Sequence, residues 1–538
     1  DMSERELFEN YMPPYEAAVR AGAATVMTSF NEIAGIPSSA NRDLLTDLLR
    51  GKWKFKGFVV ADYTAVNELI PHGVAADEKA AVDLAFNAGL DMDMQGGLYA
   101  NQIPRLVKEG RIKVADLNRA VRRVLEAKYR LGLFEDPYRY SDEDRAKSVL
   151  MSAEHRNHAR NIARKSAVLL KNDKDVLPLK KSGTIALIGP FADNKRDQIG
   201  NWSGAGDWKR AISLEEGLRQ VSAGKVGILK AKGANVADDP KLIAFLNEHG
   251  GNIEIDARAP RKMIDEAVSA AKKSDVVVLA LGESQGMSGE AASRSRIRLP
   301  ENQQELLKAV AKTGKPIVLV LFNGRPLALE LESSLAHSIL ETWFLGTEAG
   351  NAIADLLFGD ENPSGKLPMS FPANEGQIPV YYSMKSTGRP FDAKQKYTSK
   401  YLDVSNEALY PFGWGLSYTK FEVSEPKLNS SRLTGQRKLQ VKVTVSNVGK
   451  KDGEEVVQLY IRDLVGSVTR PLKQLRGYRK VFLKAGESRE LTFTLSIEDL
   501  KFYGKGMKWI AEPGKFHVMV GPNSRDLKSA SFDLTTVR

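Results

Sequence analysis

The sequence predicts a multidomain protein of the α/β plus β class, in which two α/β sections precede a β-sandwich. Three observations lead to this prediction. The chain has 538 residues, whereas a single domain holds about 150. Short apolar runs alternate with helical patterns in two separate stretches, as in βα units. The last stretch changes to polar-apolar alternation between turn signals, which is typical of a sandwich. The predicted domain limits are 1–150, 151–371, 372–418 and 419–538.

The first section, residues 1–150, combines three predicted parallel strands with helical patterns. A complete (β/α)8 barrel needs about 250 residues. The section is therefore either an open sheet or the C-terminal part of a TIM-type (β/α) barrel. A polar, charged stretch near its end, 139–146, is predicted to be a linker. The predicted strands are 23–30, 57–61 and 89–94, and the predicted helices are 41–50, 78–88 and 115–131.

The second section, residues 151–371, is predicted to be a separate doubly wound α/β sandwich. Its strand candidates are short and largely apolar and end at Gly or a polar loop, as expected for parallel strands covered on both faces. Residues 372–418 show no sustained periodicity and are predicted to be a connector. The predicted strands are 184–189, 275–282, 317–322 and 338–343, and the predicted helices are 260–272, 302–312 and 350–358.

The last section, residues 419–538, is predicted to be all β. Polar and apolar residues alternate in it, and turns such as Lys451-Asp452-Gly453 separate the alternating stretches. Alternation of this kind places one face of each strand against a core. The predicted strands are 438–447, 456–462, 490–495 and 515–520.

Composition excludes several classes of protein and site. The chain has no Cys, which excludes disulfides, thiolate metal sites and Cys nucleophiles. The net charge is +11, from 78 basic and 67 acidic residues, but the signs are interleaved, whereas nucleic-acid binders concentrate their basic residues. No stretch approaches the roughly 18 apolar residues of a membrane helix. We therefore expect neither a nucleic acid nor a membrane as partner.

The histidines do not predict a metal site. Six are scattered along the chain. His155 and His158 are at helical spacing, but no third ligand completes a recognisable set. We therefore expect no metal and no other cofactor.

Asp62 is the first candidate for chemistry. It follows the apolar run that ends at Ala61, and the carboxyl ends of parallel strands are where α/β folds place reactive side chains. An acid at this position can equally cap a helix or form an ion pair. Asp91 and Asp93 alternate with Met92 on the next predicted strand, which would place both carboxylates on one face. They could line a site or hydrogen-bond to strand ends.

Two more acids lie in a long loop of the second section. Glu283 and Glu290 belong to residues 282–300, which directly follow the strongest predicted strand. Polar loops of this length in compact domains are usually functional or disordered. A second, Gly-rich loop contains Trp202, and a Trp in such a loop can serve as a platform on which a sugar ring stacks.

Several motifs, in this order along the chain, resemble those of glycoside hydrolase family 3. Residues 56–63 (KGFVVADY) resemble the nucleophile signature of the family. Residues 288–294 (SGEAASR), continuing to Leu299-Pro300, resemble its acid/base loop. Further matches are residues 323–326 (NGRP), 359–368 (GDENPSGKLP) and 410–418 (YPFGWGLSY).

The resemblance implies a fold and a mechanism. The final section would be a fibronectin type III-like β-sandwich, and the enzyme would be a retaining, exo-acting β-glucosidase. Asp62 would be the nucleophile and Glu290 the acid/base, with carboxyl groups about 5 to 5.5 Å apart in a cleft between domains. Met27 and Tyr63 match positions that line the sugar subsite in the family. The substrate would be a β-linked oligosaccharide or glycoside.

Alternatives of neighbouring specificity stay open. A β-xylosidase or exo-glucanase of the same family is one, and a catalytically incomplete sugar-binding fragment is another. The resemblance also implies a periplasmic or secreted location, and self-association as a homodimer stays open.

The sequence departs from the family pattern in four places. Ala61 stands where Ser is more usual, and Tyr63 stands where Trp or His is usual. Phe30 replaces a common Tyr, and Ser293 replaces an Asp that often precedes the loop Arg. These positions affect how a sugar is held, so we do not infer the fine specificity.

The first section corresponds to the last three strands of the family's barrel. The earlier strands carry a Lys-His pair, an Arg and an Asp that hold the first sugar in the family. We expect this N-terminal barrel segment to be missing from the chain, which starts at Asp1, and to be a separate chain or an omitted stretch.

Overall fold

The computed structural model describes residues 1–535. They divide into two compact units. Unit 1 comprises Asp1–Ser148 together with Phe502–Ile510, and unit 2 comprises Val149–Lys501 together with the chain from Ala511 onward.

Unit 1 contains a short parallel sheet. Strand Thr25–Met27 pairs with Phe58–Val60, and Val60 forms a parallel bridge with Met92. The core under these strands contains Val59, which is fully buried. The first two strands lie within the predicted stretches 23–30 and 57–61.

The third predicted strand, 89–94, is reduced to that single bridge. Its backbone does not continue the ladder, because the N–H groups of Asp91 and Met92 both donate to the carbonyl oxygen of Val59. The Asp91 carboxylate in turn accepts the N–H of Val59 at 2.8 Å. A side chain thus makes a bond that a regular strand would make through its backbone.

Helix Glu78–Ala88 of unit 1 starts and stops at residues that favour helix termini. The Asp77 side chain accepts the N–H of Ala80, and Gly89 ends the same helix in the left-handed conformation, which costs Gly least. The predicted linker 139–146 is partly helical. The α-helices are Glu4–Glu6, Met12–Arg20, Glu78–Ala88, Leu98–Lys108, Val114–Arg130 and Glu143–Val149, with π-helical Leu7–Tyr11 and Asp43–Lys52 and 3₁₀ turns Ser38–Ala40 and Asn67–Leu69.

Unit 1 also includes two small hairpins. Glu32–Ile33 pairs with Ile36–Pro37, and Phe502–Tyr503 pairs with Trp509–Ile510. The second hairpin packs on the first helices, where the Tyr503 ring stacks on Phe8 at 5.2 Å between ring centroids. Arg5 Nη1 donates to the carbonyl oxygen atoms of Tyr503 and Gly504, each at 2.6 Å.

Unit 2 is built first around a six-stranded sheet. Five strands are parallel, and the edge strand Val168–Asn172 is antiparallel to its neighbour. The four predicted strands form the middle of the sheet, where apolar runs are buried on both faces. Across the sheet the order is Val168–Asn172, Ser338–Glu341, Ile317–Phe322, Val276–Gly282, Thr184–Ile188 and Gly227–Ala231.

Helices cover both faces of this sheet. Most begin at a residue that caps or pre-forms the first turn, as Ser213 does with Glu216 in a reciprocal capping box. The α-helices are Ala153–Ser166, Leu214–Val221, Pro240–Glu248, Pro260–Lys272, Glu301–Ala311, Glu330–Leu335 and Ala349–Phe358, with short 3₁₀ turns at Asp173–Asp175, Asp197–Ile199, Trp208–Arg210, Gln285–Met287 and Glu375–Gln377.

Two packed sheets complete unit 2. In Leu439–Asn447, Val441, Val443 and Val445 are buried while Lys442 and Thr444 are exposed, so the predicted alternation places one face in the core. One sheet contains Phe421–Val423, Lys427–Leu428, Leu439–Asn447 and Ser488–Leu495, and the other contains Arg432–Leu433, Gly453–Asp463, Gln474–Leu483, Gly514–Gly521 and Lys528–Leu534, with the helical turn Ile497–Leu500.

None of the helices within residues 1–535 has the length and apolar character that crossing a bilayer requires.

Candidate active site

Asp62 lies at the carboxyl end of the short parallel sheet of unit 1. It directly follows Phe58–Val60 and the fully buried Ala61. Its side chain is half-buried, and Oδ1 accepts the N–H of Tyr63 at 2.7 Å. The side chain forms no ion pair within residues 1–535. A carboxylate held in this way is oriented by the backbone but is not neutralised by a cation.

Met27 and Tyr63 are both exposed for residues of their size. The exposed fraction is 51% for Met27 and 57% for Tyr63. Met27 ends a strand and is in register with Val60 on the neighbouring strand, two positions before Asp62. Both candidates thus belong to the same end of the sheet as Asp62.

Asp91 and Asp93 have different surroundings, although the sequence placed them together. The Asp91 side chain is 3% exposed and forms ion pairs with Arg50 and with Arg123, the latter at 2.6 Å. Asp93 has one oxygen that accepts the N–H of Tyr99 at 3.3 Å, and its other oxygen is buried without a hydrogen bond from any described residue. Asp91 is therefore a structural acid, which agrees with the alternative interpretation of this pair.

Glu283 opens the long loop of unit 2 and is completely buried. It follows strand Val276–Gly282, and its N–H donates to Phe322 O at 2.7 Å. Its carboxylate forms ion pairs with Arg294 and with Arg325. Burial raises the pKa of Glu283, and the two arginines oppose this rise. The sequence singled out Glu283 as a candidate acid, and the structure places it under the loop rather than at the surface.

A second buried acid holds the start of the loop. Asp197 Oδ1 accepts the Ser284 hydroxyl and the N–H of Gln285, each at 2.7 Å. Burial raises the pKa of Asp197, whereas these hydrogen bonds lower it. Sequence reasoning missed this residue, because it lies 87 positions before Ser284 in a stretch without a motif.

Glu290 is exposed at the tip of the same loop. Its neighbours Gly289 and Ala291 have φ angles of +101° and +53°, so the backbone turns sharply on both sides of it. In the part of the chain that the structure describes, its carboxylate has neither a hydrogen bond nor an ion pair. The group is free to meet a ligand from solvent.

The Gly-rich loop that contains Trp202 contacts the loop of Glu290. Asn201 Nδ2 donates to the carbonyl oxygen of Ser288 at 2.7 Å. A Cβ at Gly289 would collide with the same amide, which explains the glycine there. Trp202 itself is 77% exposed. The structure therefore brings Trp202 and Glu290 to neighbouring loops, and it adds Asn201, which the sequence did not single out.

The two spaced histidines do not belong to a metal-binding group. Both lie on helix Ala153–Ser166, where His158 is 3.8 Å from Glu154. Across the described residues, no three His, Asp or Glu side chains are arranged to hold a metal ion.

Comparison with known proteins assigns the family. Residues 1–127 match the glycosyl hydrolase family 3 N-terminal domain, residues 167–418 match the glycosyl hydrolase family 3 C-terminal domain, and residues 455–524 match a fibronectin type III-like domain. The chain is 50% identical over 539 residues to the periplasmic beta-glucosidase of Salmonella typhimurium, covering 99% of this chain and 70% of that protein. The chain belongs to glycosyl hydrolase family 3.

Other family members are similar over the same span. A beta-xylosidase of Formosa agariphila is 37% identical, with 99% of this chain and 72% of that protein covered. The crystal structure of a beta-glucosidase from Listeria innocua in complex with glucose superposes with a TM-score of 0.91 at 41% identity, and covers 100% of this chain and 71% of that one. The expected family, and with it the fibronectin type III-like final section, is confirmed.

Proposed function

We propose that this family 3 hydrolase is a retaining, exo-acting β-glucosidase that removes terminal β-D-glucosyl residues from oligosaccharides or glycosides. The observation that carries the proposal is the 50% identity, over 99% of the chain, to a protein named periplasmic beta-glucosidase. Similar solved structures are also named beta-glucosidases. The Salmonella relative likewise supports a periplasmic or secreted location.

The first chemical step forms a glycosyl-enzyme. An Oδ atom of Asp62 attacks the anomeric carbon, and the bond from that carbon to the leaving oxygen breaks. The Glu290 carboxyl gives its proton to this oxygen, so the aglycone departs as a neutral alcohol. The half-buried Asp62, which has no cation partner in the described chain, suits the nucleophile, because its charge is not already neutralised.

The second step returns both carboxyl groups to their starting state. The ionised Glu290 takes a proton from water while the water oxygen bonds to the anomeric carbon. The bond between that carbon and Asp62 breaks, and glucose leaves with its original anomeric configuration. An exposed acid on a sharply turned loop supports this role, since it must meet first the aglycone and then water.

Three exposed side chains are proposed to contact the sugar. Met27 and Tyr63 flank Asp62 at the same end of a sheet, and Trp202 lies in the loop that touches the loop of Glu290. Their exposed apolar surface supports a platform for the faces of sugar rings. We further propose that the parallel strands of unit 1 belong to a (β/α) barrel, because consecutive short strands pair in parallel there.

The test of the mechanism is the loss of activity in two variants of the full-length protein. Asp62→Ala and Glu290→Ala should each lower kcat on a 4-nitrophenyl β-glucoside by about 100-fold or more, because each removes a group that takes part in bond making. NMR of the first product should show the β-anomer. A 2-fluoro-glucoside should label the peptide that contains Asp62.

Matched controls are the exposed acids Asp47 and Glu248, one from each unit. Their replacement by Ala should leave kcat unchanged within about twofold, as surface changes usually do. Near-wild-type turnover in Asp62→Ala or Glu290→Ala, or an inverted first product, would refute the proposed roles.

A β-xylosidase is the second candidate function. The observation in its favour is the 37% identity to a protein named beta-xylosidase. The two substrates differ by the hydroxymethyl group on C5 of the sugar. We expect kcat/KM to be at least about tenfold higher for the aryl glucoside than for the matching xyloside, because a pocket that contacts one extra group gains 1–3 kcal/mol, or 10–200-fold. A ratio below one would favour the xylosidase.

A further inference from the structure

Arg325 is hydrogen-bonded to the loop of Glu290, although it follows a different strand. Arg325 follows strand Ile317–Phe322, whereas the loop follows strand Val276–Gly282. These two strands are neighbours in the sheet, so their carboxyl ends lie side by side. The contact therefore follows from the strand order and not from closeness in the chain.

Arg325 bonds to the loop on both sides of Glu290. One nitrogen, Nη2, donates to the carbonyl oxygen of Met287 and to that of Ala292, the latter at 2.7 Å. The two carbonyls are three positions before and two positions after Glu290. The guanidinium thus closes the base of the turn that presents the acid.

The guanidinium of Arg325 also lies beside a buried carboxylate. Arg325 Nε lies 3.4 Å from Glu283 Oε2, and Arg294 forms an ion pair with Oε1 of the same group. The Glu283 side chain is 0% exposed. Any other orientation of Arg325 gives up the ion pair with Glu283 or the hydrogen bonds to the two carbonyl oxygens, so few rotamers are open to it.

A third contact limits how the turn can move. A Cβ at Gly324 would collide with Ser288 Oγ, so the residue before Arg325 packs directly on the loop. Asn323 Nδ2 also donates to the carbonyl oxygen of Arg325 at 2.7 Å and to Glu341 Oε2 at 3.0 Å. The segment that carries Arg325 therefore packs on the loop and is hydrogen-bonded to the end of strand Ser338–Glu341.

We infer that Arg325 is a positioning residue for the acid/base step: by bridging Met287 and Ala292 over Glu283, it holds Glu290 where it can protonate the leaving oxygen. The inference rests on the proposed role of Glu290. Arg325 does not touch the reacting atoms, so its effect passes entirely through the geometry of the loop.

This role has a signature that a general loss of folding would not produce. A displaced acid matters for a leaving group that needs a proton, such as the sugar of cellobiose. It matters little for 2,4-dinitrophenolate, which departs without one. Deglycosylation of the glycosyl-enzyme still needs Glu290 as base, and azide can replace water there without general-base help.

The experiment compares two substrates in Arg325→Met and Arg325→Lys. The Met variant should lose about 100-fold in kcat/KM on cellobiose but less than about fivefold on 2,4-dinitrophenyl β-glucoside, since misplacing a general acid costs up to its full contribution of 10²–10⁴. Azide should raise kcat on the dinitrophenyl substrate. The Lys variant keeps a charge beside Glu283 and should fold. Its kcat/KM should also fall more on cellobiose than on the dinitrophenyl substrate, but by a smaller factor than in the Met variant, because an ammonium keeps the charge but lacks the planar fork of a guanidinium.

The matched control is Arg296→Met, which removes an exposed arginine of the same loop and should leave the ratio of kcat/KM between the two substrates unchanged.

Equal losses of kcat/KM on both substrates in Arg325→Met, together with a lower thermal midpoint, would mean a structural role only and would overturn the inference. Wild-type values in Arg325→Lys on both substrates would overturn the bridging geometry. If Glu290→Ala itself shows no contrast, the proposed function fails first, which separates the two outcomes.

Discussion

Asp91 shows how the surroundings of a residue, and not its type, decide its role. It is one of three acids that the sequence places at the ends of parallel strands, together with Asp62 and Asp93. Its carboxylate is held by Arg50 and Arg123, which lie 41 and 32 positions away. Such partners come from the packing of helices on the sheet. A single sequence therefore names the candidates but does not separate the structural acid from the reactive one.

Glu332 is a buried acid without such partners. The residue is 1% exposed, and within the described chain neither carboxylate oxygen has a hydrogen-bond partner. Burial raises the pKa of Glu332 to about 7, although its own nearby backbone N–H and the charges of Arg298 and Lys308 lower it. The folded state thus holds this proton more tightly than the unfolded chain does, which links its stability to pH.

The sign of this linkage sets a prediction. Because the folded pKa is the higher one, the contribution of Glu332 is fully present below about pH 4.5 and is lost as the pH rises through about 7. The loss amounts to about 3 kcal/mol, at 1.36 kcal/mol for each pH unit between the two values. Thermal midpoints at pH 5 and pH 8 should differ less in Glu332→Gln than in the wild-type protein.

The control is Glu330→Gln, an exposed acid on the same short helix. It should keep the wild-type difference between the two pH values. An unchanged difference in Glu332→Gln would show that this carboxyl does not titrate in the folded state as expected.

At the scale of elements, apolar runs predicted the strands that are buried on both faces and missed the edges. The apolar runs at 276–281 and 317–322 could be recognised as strands from the sequence, since a buried parallel strand contains few polar residues. Val168–Asn172 and Gly227–Ala231 are edge strands, and a Lys in each shortens its apolar run to two or three residues. The loop of Glu290 could be predicted from its length. Its supports, Asn201 and Arg325, could not, because strand order brings them there.

Two helices of unit 2 cross at a pair of glycines. Leu214–Val221 contains Gly217, and Ala349–Phe358 contains Gly350. A Cβ on Gly217 would collide with the backbone of Gly350, and a Cβ on Gly350 would collide with the carbonyl oxygen of Ser213. The backbones approach so closely that neither helix can carry a larger residue at the crossing.

Gly217→Ala should therefore destabilise unit 2. In an exposed helix this change stabilises by about 1 kcal/mol, but here the added methyl meets backbone atoms, which cannot rotate away. We expect a net loss of about 2 kcal/mol and a lower thermal midpoint, measured by calorimetry. Gly388→Ala is the control, because among the described residues only its own chain neighbours lie within 4 Å of a Cβ there. A midpoint at or above the wild-type value in Gly217→Ala would contradict the tight crossing.

At the scale of the whole molecule, the final β section could be recognised from the sequence because the hydrophobic period changes there. Helical patterns between apolar runs give way to strict alternation at about the point where Leu439–Asn447 begins. The hairpin formed by Phe502–Tyr503 and Trp509–Ile510 could not be assigned in this way. Its sequence resembles that of the neighbouring strands in the chain, yet the hairpin belongs to unit 1, where the Tyr503 ring stacks on Phe8.

The late position of that hairpin in the sequence also delays the completion of unit 1 during translation. Unit 1 lacks Phe502–Ile510 until residues 149–501 have been translated, which takes about 20 to 70 s at 5–20 residues per second. Throughout this interval the Phe8 ring and the Arg5 guanidinium have left the ribosome without the partners that later cover them. Nascent chains of this protein thus expose the Phe8 ring and the Arg5 guanidinium, to which a chaperone can bind, until residues 502–510 have been translated.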